Sequence, residues 1–409
     1  MSSDTKIVIL GAALAGASAA ETLRSEGFDG EIRLVGAEPH RPYIRPPLSK
    51  EYLSGKEGID SASVHPEGWY RDHDVDLMTS IAAVGIDRAD RTVTLADGRA
   101  FAYDRLLLAT GSSPRRLSVP GAGLDGVHHL RTMDDSEALR AALKDGGRRV
   151  AVIGSGWIGM EVAATARTLG NEVTVLEHGT IPLAKALGAE LGAMFAELHE
   201  ENGVVLRTSV EVEGITGEGG RTSGVLLRGG DIVPADVVVA GLGATPNVDL
   251  AVAAGLEVED GILVDAALRT SDERIFAAGD VANAFHPVVG RRLRSEHWAN
   301  ALNGGQAAAR SMLGQEVSFD YIPYFYTDQF DLGMEYSGYP PLADGARVVY
   351  RGDRAGREFV AFWLADGRVV AGMNVNVWDV NEEVQALIRR GTPVDVARLT
   401  DESVPFGEV

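Results

Sequence analysis

The 409-residue sequence is 45% hydrophobic and 24% charged, a balance that supports two or three apolar cores. A formal net charge of −21 argues against nucleic acid or anionic membrane as a general partner, because both need a basic field. Charge-free runs are too short to span a bilayer, and the lack of any cysteine removes disulfides, thiolate metal sites, cysteine nucleophiles and redox-active CxxC pairs.

The predicted elements alternate along the chain. Residues 6–10, "KIVIL", form an apolar strand that breaks into a glycine turn and a helix to Ser25. The uncharged run 7–20 resembles a leader, but Asp4 precedes it, and Gly11 and Gly16 divide it into strand, turn and helix. A second strand, "EIRLVG", leads to a loop rich in Pro and Arg over 39–50. Strand-rich sequence follows, with Asp97-Gly98 as a hairpin turn. "RRVAVIG" opens a second strand–turn–helix unit, which continues through "NEVTVLE" to a helix over 190–202. Then come "DVVVAGLGATPN" and "GILVDAALRTSDERIFAAGD". From about residue 323 the texture changes to clustered aromatics, further strands and a helix near 382–390. This order predicts an α/β fold with parallel sheets and a separate C-terminal α+β domain.

Two glycine turns carry the chemistry. In the second, Gly154, Gly156 and Gly159 follow a β-branched strand and start a helix, so backbone N–H groups can approach a pyrophosphate at the helix N-terminus. The next strand ends at Glu177, 23 residues after Gly154, where a carboxylate can take both hydroxyls of an adenosine ribose. The first turn reads Gly11-x-Ala13-x-x-Gly16, with Glu38 lying 27 residues after Gly11. Two such sites in one chain suggest two dinucleotides brought together, and the chemistry that needs this is hydride passage from a nicotinamide to a flavin.

Around these turns stand "RPPLSKEYLSG", "LLLATGSSPRRL", "HLRTMDD", "GSGWIGMEVA", "VTVLE", "GLGATPN", "IFAAGD" and "RSEHWANAL". In this order they resemble the two-dinucleotide flavoprotein reductases, and most of all the NADH-dependent ferredoxin reductases that serve P450s and aromatic-ring dioxygenases. The resemblance covers nearly the whole chain. It implies two Rossmann-like units, with an FAD domain (1–115 and 246–322) interrupted by an NAD domain (116–245) and closed by a C-terminal domain (323–409). Non-covalent FAD is expected on the first turn, at Gly11, Leu14, Ala15 and Gly16. Its other implied contacts are Glu38, Arg45, Lys50, Ala83, Ala109, Thr110, Gly111, Arg131, Gly279, Asp280, Glu296, His297, Trp298 and Tyr326. NADH is expected at Gly154, Gly156, Trp157, Ile158, Gly159, Glu161, Glu177, Gly241 and Gly243. Lys50 paired with Glu161 is the implied catalytic couple, and no metal is expected.

These residues also have plainer readings. Arg45, Lys50 and Arg131 can be surface cations, Glu161 an ordinary helix residue, and Gly279-Asp280 a simple turn. Two departures from the family pattern stand out. Ala37 precedes Glu38 where an acid usually follows "VG", and "FYTDQ" replaces the frequent "FWSDQ", so Tyr326 takes the place of a Trp. The resemblance implies hydride transfer from NADH to FAD and single-electron transfer to a small iron–sulfur ferredoxin. Arg291, Arg292 and Arg294 are its candidate docking cluster. Rubredoxin reduction, NADH oxidation and an apoptosis-inducing-factor-like binding module remain alternative functions. A cytoplasmic monomer or weak dimer is expected.

Overall fold

The computed structural model describes residues 4–409. Five parallel strands form the first sheet, in the spatial order Ile275–Ala277, Arg105–Leu108, Lys6–Leu10, Glu31–Val35 and Val75–Met78. Ile7 to Leu10 are all buried, as both faces of a parallel sheet require. Five more parallel strands form the second sheet, in the order Val205–Arg207, Glu172–Leu176, Arg149–Ile153, Val237–Ala240 and Val127–His128. The C-terminal sheet is antiparallel and runs Tyr324–Gln329, Leu332–Gly338, Arg368–Val375, Glu358–Ala365 and Arg347–Asp353. This mixed α/β architecture is the one expected from the sequence. The hairpin at Asp97-Gly98 also forms, joining strands Thr92–Leu95 and Ala100–Ala102.

The chain leaves the first sheet and returns to it along one short antiparallel ribbon, Ser112–Pro114 against Ala244–Pro246. Asn247 locks the crossing: its amide donates to Thr110 O at 2.8 Å, and Thr110 Oγ1 donates to Asn247 O at 2.8 Å.

Both glycine turns use the same close approach. A Cβ on Gly16 would lie 2.1 Å from Gly11 O, and one on Gly159 would lie 2.2 Å from Gly154 O. Only a bare Cα lets each helix start this near its strand. Helices Leu14–Ser25, Trp157–Thr168 and Trp298–Met312 have no side-chain cap at their N-termini. Helix Met133–Leu143, by contrast, is closed by a Thr132–Asp135 capping box. These three helix starts therefore leave N–H groups and positive dipole ends available to a ligand.

Candidate active site

At the first turn, Gly11 has φ +120°, and a Cβ there would stand 1.9 Å from Ala109 O. This clamps the turn against Ala109 and Thr110, with Gly111 next in the chain. Ala83 begins the strand Ala83–Asp87, and the chain just before it runs beside the loop at Glu38, where Ser80 N–H donates to Glu38 O. Helix Trp298–Met312 crosses above, with Gly305 so close to Ala15 O that a Cβ would sit 2.2 Å from it. That crossing carries His297 and Trp298 to the wall formed by Gly279 and Asp280.

Asp280 is buried and accepts from Arg131 Nη2 at 2.6 Å and from Ser112 Oγ at 2.8 Å. Near this pair the polar groups are incompletely satisfied: Arg131 Nε, His297 Nδ1 and Trp298 Nε1 are buried without a protein partner. Burial holds the His297 ring neutral, with its pKa lowered to about 4 despite the nearby Asp280 charge. Orphaned buried donors beside uncapped helix N-termini fit an acceptor-rich group, as a flavin dinucleotide is.

Arg45 and Lys50 diverge. The 3₁₀ turn Pro46–Ser49 sends Arg45 to Glu38 at 2.9 Å and to Arg131 O, while Tyr43 also donates to Glu38. Lys50 instead meets Glu161 at 3.6 Å, with both side chains buried. The two cations thus occupy separate positions, each paired with its own glutamate. Ser49 donates to Glu161 Oε2, and Thr327 Oγ1 donates to Glu161 Oε1 at 2.6 Å. The Tyr326 ring centroid lies 5.1 Å from Lys50 Nζ, a cation–π contact. Asp328 has its pKa raised, by burial first and then by Glu51, Glu161 and Glu335, while Lys50 pulls it down.

At the second turn, Gly154 has φ +97°, and a Cβ there would stand 2.4 Å from Gly241 O. This joins the turn to the strand end that carries Gly241 and Gly243. Glu177 accepts from Ser155 N at 2.9 Å, Ser155 Oγ at 2.6 Å and Gly179 N at 2.6 Å. Burial opposes its charge, but these bonds prevail and hold the carboxyl below the usual range. About four acceptor positions on a carboxylate leave room for a ribose hydroxyl. Ile158 is exposed at the helix start, while Trp157 packs on Phe195 and Phe325.

Glu296 lies just outside helix Trp298–Met312: His297 is the N-cap, and Glu296 precedes it, paired to Arg294 at 2.6 Å. The three arginines of the candidate docking cluster differ in their surroundings. Arg294 is tied to Asp260 and Glu296, and Arg292 donates to Val264 O and Asn283 O. Sequence reasoning missed Ser49, Thr327, Gln329 and His199. His199 Nε2 lies 2.8 Å from Gln329 Oε1, and Gln329 Nε2 is 3.2 Å from Thr327 Oγ1. Burial lowers the His199 pKa to about 4.

Residues 5–305 match the pyridine nucleotide-disulphide oxidoreductase family and residues 324–409 the reductase C-terminal family, so the chain belongs to the pyridine nucleotide-disulphide oxidoreductases. Among its relatives is putidaredoxin reductase of Pseudomonas putida, 37% identical over 100% of this chain and 97% of that one. The ferredoxin–NAD(+) reductase component of an anthranilate 1,2-dioxygenase system from Burkholderia cepacia is 40% identical over 99% and 98%. The crystal structure of the covalent putidaredoxin reductase–putidaredoxin complex superposes with a TM-score of 0.95 at 36% identity, covering 100% of this chain and 98% of that one. No helix among the described residues is long and apolar enough to cross a membrane.

Proposed function

We propose that this chain is an FAD-dependent NADH:ferredoxin reductase that delivers electrons singly to a small iron–sulfur ferredoxin feeding a P450 or ring-hydroxylating oxygenase. The observation that carries this reading is the buried Lys50–Glu161 pair in a chain without cysteine. A redox site of this family built on a lysine–glutamate couple and lacking thiols has no route to disulfide chemistry. When bound, FAD supplies the capacity to accept a hydride and to release electrons one at a time.

The residues of this chain then bind, orient and exclude water. Arg131, Asp280 and the N-termini at Leu14 and Trp298 would hold FAD, with Arg45 and Glu38 at its adenosine end. Gly154, Gly159, Glu177 and Gly241 would hold NADH. Lys50 contributes positive charge where the two cofactors meet, and Glu161 holds it there while Ser49 and Thr327 orient the carboxylate. Tyr326 and Phe325 wall that region against water. Domain limits at 115, 245 and 322 and a cytoplasmic setting belong to the same proposal.

Acid precipitation of the purified protein should leave a yellow supernatant, because no thioether link is possible. NADH-driven cytochrome c reduction should rise strongly when a ferredoxin is added. Rapid NADH consumption with oxygen alone, or a response to rubredoxin only, would overturn the assignment.

A further inference from the structure

The buried side chains from His199 to Glu161 form a hydrogen-bond chain with a direction. Gln329 Nε2 is a donor only, so Thr327 Oγ1 accepts from it and gives its single proton to Glu161 Oε1. Gln329 Oε1 must then accept from His199, which puts the imidazole proton on Nε2 and leaves Nδ1 bare. On the other carboxylate oxygen, Ser49 donates and Lys50 stands at 3.6 Å. Glu161 thus receives donors on both oxygens, and its hydrogen-bond partners give rather than take. Glu161, Thr327, Gln329 and His199 are each no more than 4% exposed.

The opposite direction is chemically coherent but costly. It needs a proton on Glu161, a turned amide at Gln329 and the imidazole proton on Nδ1. That nitrogen is buried without a partner, with the Phe330 ring 5.1 Å from the imidazole. An unmet buried N–H bears the full desolvation penalty of the donor. The far end of the chain therefore selects its direction.

We propose that His199 is a positioning residue for the redox site: through Gln329 and Thr327 it holds Glu161 as an acceptor-only carboxylate, and so keeps Lys50 in place as its cation. This rests on the function proposed above and deepens it. The other charged or titratable groups facing Glu161 are Lys50, Tyr326 and Asp328, and Glu51 lies near the last two. Asp328 repels its negative charge, which the donors from Ser49 and Thr327 and the Lys50 cation offset. His199 itself faces the amide of Gln329 and the ring of Phe330.

The test uses the flavin-loaded protein and the variants His199→Leu, His199→Gln and Thr327→Val. One readout is infrared difference spectroscopy of protonated carboxyl groups between about pH 8 and pH 5.5, with Glu161→Gln assigning the band. The other is single-turnover reduction by NADH over the same range, without ferredoxin. Wild type should show no Glu161 carboxyl band. His199→Leu and Thr327→Val should show one, and their reduction rates should acquire a roughly tenfold pH dependence that wild type lacks. His199→Gln keeps a donor toward Gln329 and should restore the wild-type spectrum. Should Thr327→Val fail to fold, the His199 pair decides. No band in His199→Leu, with a slower but parallel pH profile, would mean that the chain only packs the interface. If NADH fails to reduce even the wild-type flavin, the proposed function falls, while the infrared arm still decides this inference.

Discussion

Asp280, on the turn after strand Ile275–Ala277, takes its shortest hydrogen bond from Arg131, 149 residues away, at 2.6 Å. The pair joins the return of the chain to the first sheet with the segment leading into helix Met133–Leu143. Both groups are largely buried, with side-chain exposures of 20% and 9% for Arg131 and Asp280. Such a pair adds little net stability but is costly to break on one side. Asp280→Ala should lower unfolding stability by about 3 kcal/mol and weaken FAD retention, while Arg131→Met with Asp280→Ala should recover part of the stability. Urea unfolding and flavin release on dilution measure the two effects.

On the proposed reading, Glu177 should govern the choice of coenzyme. A 2′-phosphate brought against this carboxylate meets like charge, which costs several kcal/mol, or about a hundredfold in preference for NADH. Glu177→Ala should narrow that gap by raising kcat/KM for NADPH. Equal kcat/KM for NADH and NADPH in the wild type at pH 8 would remove Glu177 from the ribose.

Docking should depend on Arg291 rather than on the whole cluster, because Arg292 and Arg294 are engaged within the fold. Charge reversal of Arg291 should lower the ferredoxin-dependent rate and its salt sensitivity together, leaving NADH-to-ferricyanide activity intact. Arg294→Glu should instead impair both activities, because it places an acid against Asp260 and Glu296.

The buried imidazole of His199 predicts a pH dependence of stability. Its pKa is about 4 in the fold against 6.5 for the ordinary group, so the unfolded chain takes up the proton first as pH falls. Stability is therefore full above about pH 6.5 and declines toward pH 4, by about 3 kcal/mol for this residue. Urea midpoints across that window should fall with pH in wild type, and less so in His199→Leu. Parallel slopes would assign the loss to other groups.

Tyr326 faces Lys50 at the same site. Replacing it with Ala should weaken the long-wavelength absorbance of the NADH-reduced protein and loosen NAD⁺, whereas Trp should preserve both. An Ala variant with unchanged absorbance and unchanged ferredoxin kinetics would make Tyr326 a packing residue.

The parallel strands and glycine turns were legible because apolar runs and glycine spacing are local signals. The placement of Glu177 against the second glycine turn was legible too, since a strand end at a fixed distance from such a turn is a local pattern. The environment of Glu161 was not, because its partners Ser49 and Thr327 lie 112 and 166 residues away. One clue was present: Thr327 and Gln329 fall on the same face of a strand, two polar residues in register with Phe325. The surroundings of Arg294 were hidden for the same reason. Three arginines close in sequence suggest a charged patch, and only the fold brings Asp260 against the third.

The ribbon between residues 112–114 and 244–246 sets the order in which the protein can be completed on the ribosome. Arg105–Leu108 pairs on one side with Lys6–Leu10, but its other neighbour, Ile275–Ala277, emerges only after the whole second sheet has been synthesised. At about 5–20 residues per second the nascent chain spends many seconds with that strand edge open. An unpaired edge invites pairing with another chain. The second unit, whose strands all lie between residues 127 and 240, can close its sheet before the first one does. The sheet that begins the chain is thus the later of the two to finish, and chaperone protection during synthesis should fall on the first unit.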